Sequence, residues 1–352
     1  MRTIIPIKKY NLKTNKFEEQ ISKSDINKAL SYIEKKIIYD ENDENFEYII
    51  LASGNKVKDI SKNGENPYKQ YDYVENLCRY FKNKKKNCII VHILVDMDAP
   101  LAEESKLIAA HIDEIASKKT TNTINLIGHS KCGTMFFNMP KYYQNELSFK
   151  KSNIYTSATP FRGCLIAAPR FFLREVEQAI NSQLPSPLNK LVYKAVKKYY
   201  TSVHSDSHMD HDISQQGYAA ERYDPNFIAG MFDIENIEAM KRVNFYHNFV
   251  TGIDDKSLLK AIKRRDYISI GLCLMDRFFM QELTDGFIEV KSQESVEQYI
   301  DVPTKKIFSA THYYLGHDDE LGIILDVVDE NIDKMKEKRL RKRMIRLNLM
   351  NK

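Results

Sequence analysis

The chain has 352 residues, 43% hydrophobic and 29% charged, a balance that excludes disordered and collagen-like classes and suffices to bury a large core. Its net charge of +5 is uneven: residues 334–352 hold nine Lys or Arg against one Glu, a local +8 that leaves about −3 for everything before them. A nucleic-acid partner for the body is thereby excluded, since the basic face it would need is missing outside that tail.

In chain order, Ile26, Leu30, Ile33 and Ile37 stand at helical spacing behind a Ser24 N-cap and predict a helix from Asp25 to about Ile37. The acidic stretch DENDENFE leads into a strand over residues 48–54, YIILASG; a helix through YVENLCRYF and a strand CIIVHILVD over 88–96 follow. After Pro100, Leu107, Ile108, His111, Ile112 and Ile115 share one face of a helix that acidic residues open, as the helix dipole prefers. TINLIGHS, residues 123–130, reads as the next strand, with a helix from about Cys132; GCLIAAP from Gly163 reads as another strand. Residues 170–242 read as mainly helical, the sheet resumes over 243–252 and 306–310, and a closing helix runs from Glu320 to about Asp333. Alternating apolar strands and helices predict a parallel sheet covered on both faces. The expected organisation is one α/β domain over residues 1–333, with an N-terminal extension over 1–45, a helical lid over 170–242, and a basic tail over 334–352.

Five scattered cysteines, odd in number and never in a Cys-x-x-Cys pair, argue against a disulfide framework or zinc ribbon and fit a reducing cytoplasm. The first twenty residues lack the apolar region of a secretory leader, and no apolar run nears the roughly 18 residues of a membrane span. The expected location is cytoplasmic.

The central chemical signal is Gly128-His129-Ser130-Lys131-Cys132-Gly133 at a strand-to-helix junction. A nucleophile elbow needs small residues two before and two after its serine, because the strained turn brings the backbone against neighbouring strands. Gly128 meets this need, and Cys132 stands where a second glycine is usual. With this elbow the chain resembles the lipase-like α/β-hydrolases. TSATPFRG, residues 156–163, is similar to the Ser-Thr-Pro-His-x-Gly segment those enzymes carry after the nucleophile helix, with Phe161 in place of the His. LTDGFIEVKSQ, residues 283–293, is similar to the Asp-Gly-x-Val segment that supplies their acid.

The resemblance implies an α/β-hydrolase fold and a triad in the order Ser, Asp, His. Ser130 is then the nucleophile and Asp285 the acid, with Asp254 and Asp255 as its rivals. His312, just past the last strand, is the expected base and His317 the alternative, since the dipole at a helix start disfavours a protonated imidazole. Two amides are expected to hold the oxyanion, those of Lys131 and of Asn55 in the loop after the early strand. The expected reaction is cleavage of a carboxylic ester, of lipase, phospholipase or esterase type, on a small-molecule ester or lipid and without a cofactor. Acyl transfer or thioester hydrolysis with the same triad, and a silent scaffold that binds a ligand or protein, are the alternatives.

His204, His208 and His211 with nearby aspartates form a weak cation-binding pattern, outweighed by a polar lid loop, so no metal is expected. His92, His111, His129 and His247 read as structural. In the tail, Leu340, Met344 and Leu347 share one side among Lys and Arg, the pattern of a helix in peripheral contact with an anionic membrane; a solvated helix is the plainer reading.

Overall fold

The computed structural model describes residues 9–11, 16–18, 31–55, 73–96, 101–163, 169–186, 188–203, 230–254, 277, 283–285, 288–308 and 318–350. Strands β1 (Lys9–Asn11) and β2 (Lys16–Glu18) form a small antiparallel hairpin. The body is built on β3 (Ser31–Ile37), β4 (Phe46–Asn55), β5 (Cys88–Asp96), β6 (Thr121–His129), β7 (Ser152–Ser157), β8 (Phe245–Thr251) and β9 (Thr304–Ile307). These lie in the order β3-β5-β4-β6-β7-β8-β9. Edge strand β3 is antiparallel to β5, and every other neighbouring pair is parallel.

The helices are α1 (Tyr73–Asn83), α2 (Leu101–Ser117), α3 (Lys131–Asn138), α4 (Glu146–Lys151), α5 (Pro169–Gln183), α6 (Leu188–Val203), α7 (Ile234–Arg242), α8 (Val290–Glu294) and α9 (Asp318–Met350). The strands alternate between two cores, one on each side of the sheet. Tyr48, Ile50 and Ala52 of β4 join Leu126 of β6 against Ile108 and Ile112 of α2 and Phe136 and Phe137 of α3. Ile49 and Leu51 face the other way, with Ile127, Tyr155 and Phe249, onto Leu77 and Phe81 of α1 and Leu321, Leu325 and Val328 of α9. Both faces of the inner strands are buried, which is why they read as continuous apolar runs rather than alternating ones.

Two expectations change, and one strand is new. Residues 31–37 form the edge strand rather than the second half of a helix. The spacing of Ile33 and Ile37 is even, so it fits period two as well as period 3.6, and pairing with β5 along the whole strand decides between them. SNIYTS forms a strand after α3 that the apolar patterning did not mark, while the strand expected over GCLIAAP falls on residues 164–168, which lie outside the described residues. The closing helix continues through the basic tail to Met350, 33 residues in all, because the tail carries strong helix formers and neither Gly nor Pro. Two helices, α5 and α6, stand where the helical insertion was expected; residues 204–229 lie outside the described residues.

Candidate active site

Ser130 is the single residue between β6 and α3, with φ 57° and ψ −130°. A non-glycine residue in this region carries about 1–3 kcal/mol of strain that its surroundings must hold. They do so through the backbone: Ser130 N–H donates to the Ser157 carbonyl at 3.0 Å, and Gly133 N–H donates to the Ser130 carbonyl at 2.8 Å. A Cβ on Gly128 would come within 2.6 Å of the Cys132 carbonyl oxygen and 2.8 Å of Phe136 Cδ2, so a glycine is required there. At the other flank Cys132 fits with no exposed surface. The close approach falls on Gly133, where a Cβ would lie 1.9 Å from Thr159 Oγ1. Burial, with help from the Glu104 carboxylate, pushes the Cys132 thiol up, away from thiolate.

Lys131 opens α3 with its side chain wholly buried, and its Nζ lies 2.9 Å from Oε2 of Glu104 on α2, whose side chain is 4% exposed. The sequence points only to the Lys131 amide and carries no mark of this pair. Glu104 looked like one more acidic residue in the first turn of a helix, and only the packing of α2 on α3 turns it inward.

Asp285 is completely buried beyond the carboxyl end of β8. Its Oδ2 accepts from Thr251 Oγ1 at 2.8 Å and its Oδ1 from Ile288 N–H at 2.9 Å. Gln293 clamps the end of β8 in turn, with Oε1 accepting from Thr251 N–H at 2.7 Å and Nε2 donating to the Thr251 carbonyl at 2.9 Å. Thr251 and Gln293 are not marked in the sequence either, since a Thr ending a strand and a Gln in a short helix carry no pattern of their own. The two segments that resemble the hydrolases touch: Ser292 Oγ donates to the Gly163 carbonyl at 2.7 Å and accepts from Arg162 N–H at 3.0 Å. Phe161, where the lipase-like hydrolases carry a His, is buried edge-on against Phe137, with ring centroids 5.4 Å apart.

Because the strands are parallel, Ser130 after β6, Asp285 beyond β8 and the end of β9 share the carboxyl edge of the sheet, where ligands bind in open α/β sheets. Asn55 is the last residue of β4, in register with Asp96 of β5, rather than part of the loop after the strand; it still lies beside the Ser130 turn, since Ala52 pairs with Gly128 and the same register carries Asn55 past the end of β6. Asp254 is held at this edge too, its N–H donating to the Phe308 carbonyl at 3.5 Å. His312, His317 and Asp255 lie outside the described residues, as do His204, His208 and His211. Among the described residues no group of three His, Cys, Asp or Glu is placed to hold a metal ion. His92 is buried inside β5, and burial lowers its pKa to about 4. His247 on β8 is lowered to about 4 by burial and by the nearby Lys305 ammonium.

No protein-family profile matches the chain, and no curated protein matches it in sequence. Solved structures do match. The mature form of a Bacillus licheniformis lipase aligns with a TM-score of 0.51 at 11% identity over 85% of this chain and 97% of that one. A fungal esterase from Rhizomucor miehei aligns at 0.43 and 10% over 88% and 80%. A carboxylesterase from the thaumarchaeon Nitrososphaera gargenis aligns at 0.40 and 10% over 88% and 97%. With its mixed sheet, its antiparallel edge strand and an alignment over 85% of its length to the first of these, the chain has the α/β-hydrolase fold.

Proposed function

We propose that the protein is a serine hydrolase that cleaves carboxylic esters through an acyl-enzyme. Fold alone does not choose a chemistry. The observation that carries the reading is the backbone of Ser130, a non-glycine residue at φ 57° in a strand-to-helix turn that Gly128 and Gly133 alone allow to close. Such strain is stored where a side chain must be presented to a substrate.

In this reading Ser130 attacks the ester carbonyl while His312 takes its proton and returns it to the leaving alcohol; water then cleaves the acyl-enzyme by the same route. Asp285 orients His312 and stabilises it when charged, and hydrogen bonds from Thr251 and Ile288 fix the carboxylate for that task. His317 is the alternative base. The Lys131 and Asn55 amides receive the oxyanion. The abundance of Tyr and Phe, 21 and 17 residues, favours an apolar acyl group.

The test exposes wild type and Ser130→Ala to a fluorophosphonate probe and to medium-chain p-nitrophenyl esters. Labelling and turnover that vanish in the variant support the hydrolase. A folded wild type that neither labels nor turns over refutes it in favour of a silent binding scaffold.

A further inference from the structure

The last turns of α9 present a surface that is apolar and basic together. Leu340, Met344 and Ile345 are 52%, 63% and 59% exposed, and Leu340 and Met344 stand one above the other at i and i+4. Between Lys338 and Arg346 the sequence adds six Lys or Arg and no acid. A duplex nucleic acid would match the charge and leave the apolar side chains in water. An anionic lipid surface accepts both, the cations at its headgroups and the apolar stripe just beneath them.

The direction of α9 fixes what such contact does to the site. The helix runs back across the sheet and leaves it at the amino edge. Met335 Sδ accepts from Asn244 Nδ2, one residue before β8; Asp333 pairs with Lys86 before β5 at 3.0 Å; Arg339 pairs with Glu47 at the start of β4 at 3.0 Å. Ser130 leaves the opposite edge. From Glu47 to Ala52, level with Gly128, and on to Ser130 is about 23 Å at strand spacing. The helix from Arg339 to Met344 adds about 8 Å beyond the amino edge.

We propose that the basic end of α9 docks the protein on an anionic lipid bilayer with the Ser130 edge turned to the water, so that the ester it cleaves arrives from solution and not from the bilayer underneath. The statement about substrate rests on the hydrolase reading of Ser130; the docking does not.

The experiment sediments the full chain with phosphatidylcholine vesicles made with and without phosphatidylglycerol, and measures p-nitrophenyl acetate turnover in both. Two variants at exposed positions accompany it, Leu340→Ser/Met344→Ser/Ile345→Ser and Arg341→Gln/Lys342→Gln, with circular dichroism as the check on folding. Wild type is expected to sediment only with the anionic vesicles, each variant to partition about tenfold less, and turnover to be the same bound and free. A wild type that stays in the supernatant, variants that bind like wild type, or displacement from vesicles by a short DNA duplex overturns the docking. Turnover that collapses on binding overturns the orientation. Turnover absent with and without vesicles sinks the hydrolase reading and the substrate statement with it, while sedimentation still decides the docking.

Discussion

Replacing Glu104 by Ala takes away the carboxylate that faces the buried Lys131 ammonium. The two groups are 2.9 Å apart with side chains 0% and 4% exposed, so water screens little of their attraction and little of the loss. Breaking a buried pair from one side costs about 3–5 kcal/mol, a large share of the roughly 5–15 kcal/mol that holds a native domain together. Replacing both partners by apolar residues of similar size, Glu104→Leu with Lys131→Met, removes the desolvation cost along with the attraction, and should return stability to within about 1 kcal/mol of wild type. Urea unfolding at neutral pH measures this, read as a shift in midpoint at constant slope. Fluorophosphonate labelling of Ser130, one residue from the pair, follows the effect on the elbow. A Glu104→Ala variant within about 1 kcal/mol of wild type would refute the argument, as would a double variant no more stable than the single one.

Gly128→Ala should destabilise the chain by about 1–3 kcal/mol or more and abolish probe labelling, because its Cβ meets a backbone carbonyl that cannot turn aside. Gly133→Ala meets only the Thr159 side chain, so Thr159→Gly should recover a large part of its loss in a thermal melt, whereas equal damage in single and double variants would contradict the contact. Asp285→Asn keeps the shape but supplies one acceptor where Thr251 and Ile288 each need one. About 1–2 kcal/mol of stability and a fall in kcat of about 10³–10⁴-fold are expected on a p-nitrophenyl ester, and unchanged kcat would remove Asp285 from the triad. His92 is buried in its neutral form with its pKa lowered to about 4. The unfolded chain therefore takes up a proton that the folded one refuses. The stability this gives is fully present above about pH 6.5 and is lost as pH falls toward 4. A His92→Gln variant should show a shallower loss of urea stability across that window, and an identical slope would rule the histidine out as its cause.

The strands that carry the elbow were legible because they are buried on both faces. β4, β5 and β6 are near-continuous apolar runs, and glycine at 128 followed by Ser130 announces a turn too tight for any other residue at its first flank. β3 was misread because an even spacing of two isoleucines serves a helix and a strand alike, and only the neighbouring β5 chooses. SNIYTS carried no apolar pattern to mark it as a strand, because its polar residues are buried by hydrogen bonds across the sheet, as Thr156 Oγ1 to Asn248 Oδ1 at 2.9 Å.

The sequence by itself determined the fold class, the position of the strained serine and the acidic segment that follows it, because these rest on local backbone demands and on apolar periodicity, which are written along the chain. Tertiary structure alone decided that Glu104 faces Lys131, that Thr251 and Gln293 hold the end of β8 under Asp285, and that the basic helix leaves the sheet at the edge away from Ser130. Each of these depends on which elements pack together and in which direction they run, and residues 27 or 42 positions apart carry no local mark of meeting.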